Sequence, residues 1–219
     1  GHGPRFSFLT AGSVAICGAS AAMAIAAILP KDERSEQRLV FTVVGVTLLS
    51  TIAMILYPIL ASSLAMDDTQ TGIFLGATIH DVAQVVGAGF SVSESTGETA
   101  TLIKLFRVAM LAPVVVIATM VIRMNVKTEG DMTQPPVLPF FVVGFVALAA
   151  LNSIVALPEF VTATAGTLSR WALLTSIAAV GMKTSIKDVA QVGGAAIALI
   201  VVETVFLAGF ILIGLELLL

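Results

Sequence analysis

Three polar residues, His80, Asp81 and Gln84, stand in the middle of a stretch that is otherwise apolar or small from Thr71 to Phe90. In a helix, residues three or four apart share neighbouring faces, so Gln84 adjoins both His80 and Asp81. Ionisable side chains inside a membrane segment cost several kcal/mol unless they meet a cavity or a partner, so they mark functional sites. Asp81 can take up a proton or coordinate a cation. His80 can titrate near neutral pH or donate to an anion. The competing reading is that the segment is re-entrant and these side chains cap a half-helix.

A second signal lies at Ala15-Ile16-Cys17-Gly18-Ala19-Ser20, where small residues and a glycine interrupt an apolar run. A half-helix starting there would offer free N–H groups and a positive dipole end to an anion, with Ser20 and Ser13 adding hydroxyls. A tight helix crossing through small residues explains the same pattern. Lys104 and Arg107 are three apart near one end of an apolar segment. They either attract an anionic substrate or snorkel to headgroups. Glu203 lies within another apolar run and invites pairing with Arg170 or another cation, or a role as proton carrier. Cys17 is the one cysteine of the chain, so no internal disulfide forms. It has no His/Cys cluster around it, and no metal or cofactor is expected.

These residues need a membrane scaffold. Of 219 residues, 58% are hydrophobic and 11% charged, against roughly a quarter charged in soluble domains. Mean hydropathy is +1.05. A net charge of −3 excludes a strongly basic nucleic-acid binder. Long continuous apolar runs, without period-two alternation, predict helices rather than a barrel. Seven segments are expected: Phe8–Leu29, Leu39–Tyr57 closed by Pro58, Thr71–Phe90, Thr99–Arg123, Val137–Leu157, Phe160–Met182 and Gly193–Leu219. A short apolar stretch, Ile59–Met66, is too short to span. Treating Thr71–Phe90 as re-entrant gives six. Gly1–Pro4 lack an initiator Met and read as an added or truncated start. Loop charges place Arg5, Arg123, Lys127, Lys183 and Lys187 on one side and Lys31, Arg34 and Arg38 on the other, a weak positive-inside bias. Thr78–Val85 also echoes Ser185–Val192; an internal repeat would suit a transporter, but coincidence is the favoured reading because the second copy lies between segments rather than inside one.

Three motifs follow one another in order. They are Ile16-Cys17-Gly18-Ala19-Ser20-Ala21, then Gly76-Ala77-Thr78-Ile79-His80-Asp81-Val82-Ala83-Gln84-Val85-Val86-Gly87-Ala88-Gly89, then Lys104-Leu105-Phe106-Arg107-Val108-Ala109-Met110-Leu111-Ala112-Pro113. Together with Gly181-Met182-Lys183-Thr184-Ser185, they resemble the YeiH-type bacterial family with a predicted sulfate-exporter role (UPF0324). That family is grouped with the cation/proton antiporter and anion transporter superfamily. The resemblance covers nearly the whole chain, which looks like the C-terminal two thirds of a member. It implies an all-α polytopic membrane protein, with crossed discontinuous helices, inverted repeats and elevator-like alternating access.

The expectation is one transmembrane transporter domain over residues 1–219, multi-pass in a bacterial inner membrane, with a homodimer as one candidate assembly. Its cargo would be a small anion such as sulfate or a sulfonate, bound by Cys17, Gly18, Ser20, Thr78, His80, Gln84, Lys104 and Arg107. Asp81 would couple a proton or Na⁺. The rival is a cation/proton antiporter with Asp81 as the ion site. An intramembrane enzyme is disfavoured because no nucleophile elbow or His-Glu-x-x-His motif is present. A non-transporting structural subunit is the remaining alternative.

Overall fold

A computed structural model describes residues 3–125, 140–155, 158–183 and 194–218. Its regular elements are all α-helices among the described residues. They are α1 (Pro4–Ala15), α2 (Ala19–Ile28), α3 (Ser35–Ser63), α4 (Asp68–Thr78), α5 (Val82–Val92), α6 (Glu94–Ala109), α7 (Leu111–Asn125), α8 (Phe140–Ile154), α9 (Glu159–Lys183) and α10 (Gly194–Leu218). The Ser185–Val192 echo and most of the loop after α7 lie outside the described residues.

Three stretches are long and apolar enough to cross a membrane: Ser35–Ser63, Glu94–Met124 and Gly194–Leu217. The two interrupted segments behave differently from a span. Each half-helix has 10 to 12 residues, or about 15–18 Å at 1.5 Å per residue. That is half the thickness of a hydrocarbon core. After its break, each segment turns back toward the end from which it entered.

For α4 and α5 the return is fixed by hydrogen bonds. Ser93 Oγ, just past α5, donates to Asp68 Oδ2 at the start of α4 at 2.7 Å. Thr96 Oγ1 donates to the Asp68 carbonyl at 3.1 Å. Both arms lie along α6 through glycines. A Cβ on Gly76 would strike the Ala100 carbonyl oxygen, and one on Gly89 would come within 2.9 Å of Gly97 Cα. Such side-chain-free contacts let membrane helices approach closely. For α1 and α2, Pro4, Arg5 and Phe8 at the entry line one cavity with Leu29 and Pro30 at the exit. The Gly12 Cβ position is filled by the Ile25 side chain of the returning arm. Both segments are therefore re-entrant hairpins, the six-span alternative for the second and an unforeseen result for the first. The crossed arrangement implied by the resemblance is replaced by two hairpins meeting tip to tip.

The hairpins enter from opposite ends of α3, which is about 43 Å long at 29 residues. Arg5 and Leu29 of the first share a pocket with Ser35 and Arg38 at the beginning of α3. The second starts just beyond the other end of α3, at Asp68. Each hairpin is followed by a span-length helix running the other way from its counterpart: α3 after the first, α6–α7 after the second.

One proline does less than expected. Pro58 was expected to close the second segment, yet α3 runs through it to Ser63. The ring removes one N–H, but the later turns are held by packing: Tyr57 lies 5.1 Å from Phe74 between ring centroids, and Ala61 is buried. Pro113 cannot bond the Ala109 carbonyl, and the chain turns at Met110 between α6 and α7.

The first-hairpin end of the bundle gathers Arg5, Lys31, Arg34, Arg38 and Arg123. The expected split of these charges between two sides is corrected, because α1–α2 turns back instead of crossing. There Asp32 accepts from Arg38 at 2.8 Å. Slight desolvation pushes its carboxyl up, but hydrogen bonds from the Arg34 N–H, Ser35 and Arg38 hold it below the usual range.

Candidate functional site

The hairpin tips meet halfway along the bundle. At the first tip, Gly18 takes φ +61° and ψ −122°, a backbone shape that side chains resist. A Cβ there would sit 3.5 Å from His80 Cβ and 3.7 Å from the His80 carbonyl oxygen. The second tip is Ile79-His80-Asp81, between α4 and α5.

Four helix ends converge on this point, and each has orphan backbone groups. The carbonyl ends of α1 and α4 are served by two cations from one turn of α6. Lys104 Nζ, fully buried, donates to the Ile16 carbonyl at 2.8 Å and the Ile79 carbonyl at 2.9 Å. Arg107 Nε donates to the Ala15 carbonyl at 2.9 Å, and its Nη2 to Val14 at 2.8 Å. Its Nη1 reaches the Gly76 and Ile79 carbonyls, both at 3.2 Å. Cations complement the negative ends of helix dipoles. The three-residue spacing puts both on one helix face, and the fork of Arg107 bridges both hairpins.

The two N-terminal ends differ. At α5, Asp81 is the N-cap: its Oδ1 accepts from the Ala83 N–H at 2.9 Å and the Gln84 N–H at 3.3 Å. An Asp cap supplies the acceptor that a helix start needs, which is why the break falls here without a proline. At α2 the cap is Gly18, with no side-chain hydrogen bond to the first turn. The first turn of α2 therefore presents its positive end, and Ser20 in that turn is exposed. Cys17 and Ala19 are buried beside it, and the Cys17 sulfur is near enough to interact with the Ala21 N–H and the Ser20 hydroxyl of that turn.

His80 is fully buried. Its Nε2 pairs with Thr204 Oγ1 on α10 at 3.1 Å. Nδ1 makes no hydrogen bond of good geometry, although the Val14 carbonyl is near enough to act on it electrostatically. Gln84 Nε2 donates to Thr51 Oγ1 on α3 at 3.0 Å, leaving a buried Oε1 without a partner. Thr78 is turned inward and donates to the Phe74 carbonyl of its own helix.

All nine residues singled out from the sequence thus lie at or beside the tips. Lys104 and Arg107 are occupied by carbonyls, and His80 by Thr204, so their clearest contacts are with the protein. Sequence reasoning missed Ser50 on α3. Its Oγ accepts from the N–H groups of His80 at 3.2 Å and Asp81 at 3.1 Å. It also missed Thr51 and Thr204. A single hydroxyl in an apolar helix carries no pattern; only Thr204 had a pointer, its neighbour Glu203. Ser50→Ala should leave one buried and one half-buried N–H group without an acceptor. The expected cost is about 1–3 kcal/mol of stability, measurable as a lower unfolding temperature in detergent.

No cluster of three metal-ligating side chains occurs among the described residues. Residues 3–201 match the family described as "Conserved hypothetical protein 698". Over all 219 residues the chain is 60% identical to the UPF0324 membrane protein TauZ of Paracoccus pantotrophus, covering 65% of that protein. It is 58% identical over 216 residues to UPF0324 membrane protein RB0971 of Rhizobium meliloti (98% of this chain, 62% of the relative). It is 51% identical over 212 residues to CT0845 of Chlorobaculum tepidum (97% and 59%). No solved structure matches it. The chain spans under two thirds of the length of these relatives, and it belongs to the UPF0324 family of helical membrane proteins.

Proposed function

We propose that the chain is the substrate-binding core of a multi-pass secondary transporter for a small oxyanion such as sulfate or a sulfonate, in a bacterial inner membrane. The supporting observation is the charge arrangement at the tips. The carbonyl ends that would repel an anion are already neutralised by Lys104 and Arg107. The start of α2, where the cap residue Gly18 has no side chain and Ser20 is exposed beside the Cys17 sulfur, is the end that would receive it. Two hairpins entering from opposite ends, each followed by a span of opposite direction, form the inverted pairing common in transporters, whose sites lie at helix breaks near the midplane. Cytoplasmic loops are enriched in Lys and Arg. The end with Arg5, Lys31, Arg34, Arg38 and Arg123 is therefore cytoplasmic, and the end with Asp67, Asp68, Glu94 and Glu98 faces outward.

A second reading rests on Asp81 and on the unpartnered Oε1 of Gln84. These oxygens suit a proton or Na⁺, either coupled to the anion or as sole cargo.

Thermal unfolding of the purified full-length protein in detergent tests both. The ligands are sulfate, sulfite, thiosulfate, taurine and short carboxylates, with and without Na⁺, at two pH values. One anion should raise the unfolding temperature, and Ser20→Ala or His80→Ala should reduce that rise. A response to Na⁺ or pH alone, abolished by Asp81→Asn, would replace the anion transporter with the cation exchanger.

A further inference from the structure

Helix α10 carries one ionisable side chain, Glu203, in the apolar run 195–214. Its Oε1 lies 2.9 Å from Thr10 Oγ1 on α1. Its Oε2 is buried and has no hydrogen-bond partner. Helix α10 packs on α1, α3 and α4. The titratable and charged groups on those elements and at the tips are Arg5, Glu36, Arg38, Tyr57, Asp68, Cys17, His80, Asp81, Lys104 and Arg107. None of them hydrogen-bonds or ion-pairs with Glu203. Arg170, the partner considered from the sequence, has its side chain outside the described residues.

The hydroxyl of Thr10 decides the hydrogen-bond arithmetic. Besides Glu203, Oγ1 lies 3.3 Å from the Phe6 carbonyl and 3.2 Å from the Ser7 carbonyl. A hydroxyl has one hydrogen to donate and lone pairs to accept. With an ionised Glu203, Thr10 must turn that hydrogen to Oε1, while a negative charge stays in an apolar environment with Oε2 bare. Buried charges without a partner are disfavoured. With a protonated Glu203, the carboxyl O–H donates to Thr10 Oγ1, and Thr10 donates onward to Phe6 or Ser7. Every hydrogen has an acceptor in both states, and only the protonated one leaves no charge at the bare Oε2.

We propose that Glu203 is a second proton-binding carboxyl, separate from Asp81, that carries its proton at neutral pH and reports its state to α1 through the Thr10 hydroxyl. The next residue, Thr204, holds His80 at the other hairpin tip. One turn of α10 thus touches both hairpins, and loss of the proton changes its hold on the first. Such a site supplies a proton-coupling group whatever the cargo is.

Infrared difference spectroscopy of the purified full-length protein tests this without any transport assay, so it stands or fails separately from the anion reading. The carbonyl stretch of a protonated carboxylic acid, shifting in D₂O, should be present at neutral pH. It should disappear in Glu203→Gln, whose amide can still reach Thr10, and persist in Asp81→Asn. In Thr10→Val the band should move to higher frequency because the acid loses its acceptor; this variant serves if Glu203→Gln does not fold. A band unchanged in Glu203→Gln, a band that does not move in Thr10→Val, or no such band at neutral pH would overturn the proposal.

Discussion

Lys104→Met should lower the stability of the protein by roughly 2–5 kcal/mol. The methionine keeps the length of the chain but removes two hydrogen bonds from a charged donor, worth about 1.5–3 kcal/mol each. The buried Ile16 carbonyl loses its donor, and the Ile79 carbonyl keeps only the longer bond from Arg107. Removing a buried charge recovers part of its desolvation cost, which sets the lower limit of the range. The loss is not local. Those carbonyls belong to different hairpins, so Lys104 ties the tips together. Thermal unfolding in detergent should show the drop, and any anion response should vanish with it. Arg107→Lys keeps a charge but not the planar fork that spans both helix ends, and should also destabilise. If Lys104→Met unfolds like the parent, the tips are held by something other than these bonds.

Gly18→Val should have the next largest effect, and for a different reason. At φ +61° and ψ −122° a side chain brings strain of about 1–3 kcal/mol. Gly18→Ala tests that strain nearly alone, since its Cβ would reach only van der Waals distance from His80. A branched valine must also push on His80 and the second tip, so it should cost more than alanine and weaken ligand binding. Gly87→Ala is the control: nothing lies within 4 Å of its Cβ position, and alanine suits a helix better than glycine. It should leave the unfolding temperature unchanged or slightly higher. Equal behaviour of Gly18→Ala and Gly87→Ala would show that the first tip tolerates a side chain.

Much of this architecture can be read from residue order. Apolar run length implies membrane helices, because only an internally bonded backbone survives in lipid. Both breaks can be located from local chemistry: a glycine among small residues at Gly18, and an Asp able to cap a helix at Asp81. The pair of cations one turn apart on α6 stands out because charge is rare in such segments. These are short-range signals, each contained within a few residues.

What the chain does beyond a break is a long-range matter. Whether α2 continues across or turns back depends on Ile25 filling the space beside Gly12. Whether α5 returns depends on Ser93 meeting Asp68. Neither contact has a local signature. The turn-back of α1–α2 then regroups the loop charges, so among the described residues Arg5, Lys31, Arg34, Arg38 and Arg123 share one end with Asp32, Glu33 and Glu36, opposite Asp67, Asp68, Glu94 and Glu98. The partners of the polar groups follow the same rule. Lys104 and Arg107 read from the sequence either as anion ligands or as snorkelling cations, yet tertiary structure gives them carbonyls, because two helix ends need donors. Ser50 gains its role only because the second tip comes to rest against the middle of α3. Residue types thus determined which chemistry the membrane core contains, while packing decided which groups are already satisfied and which are left for a ligand or a proton.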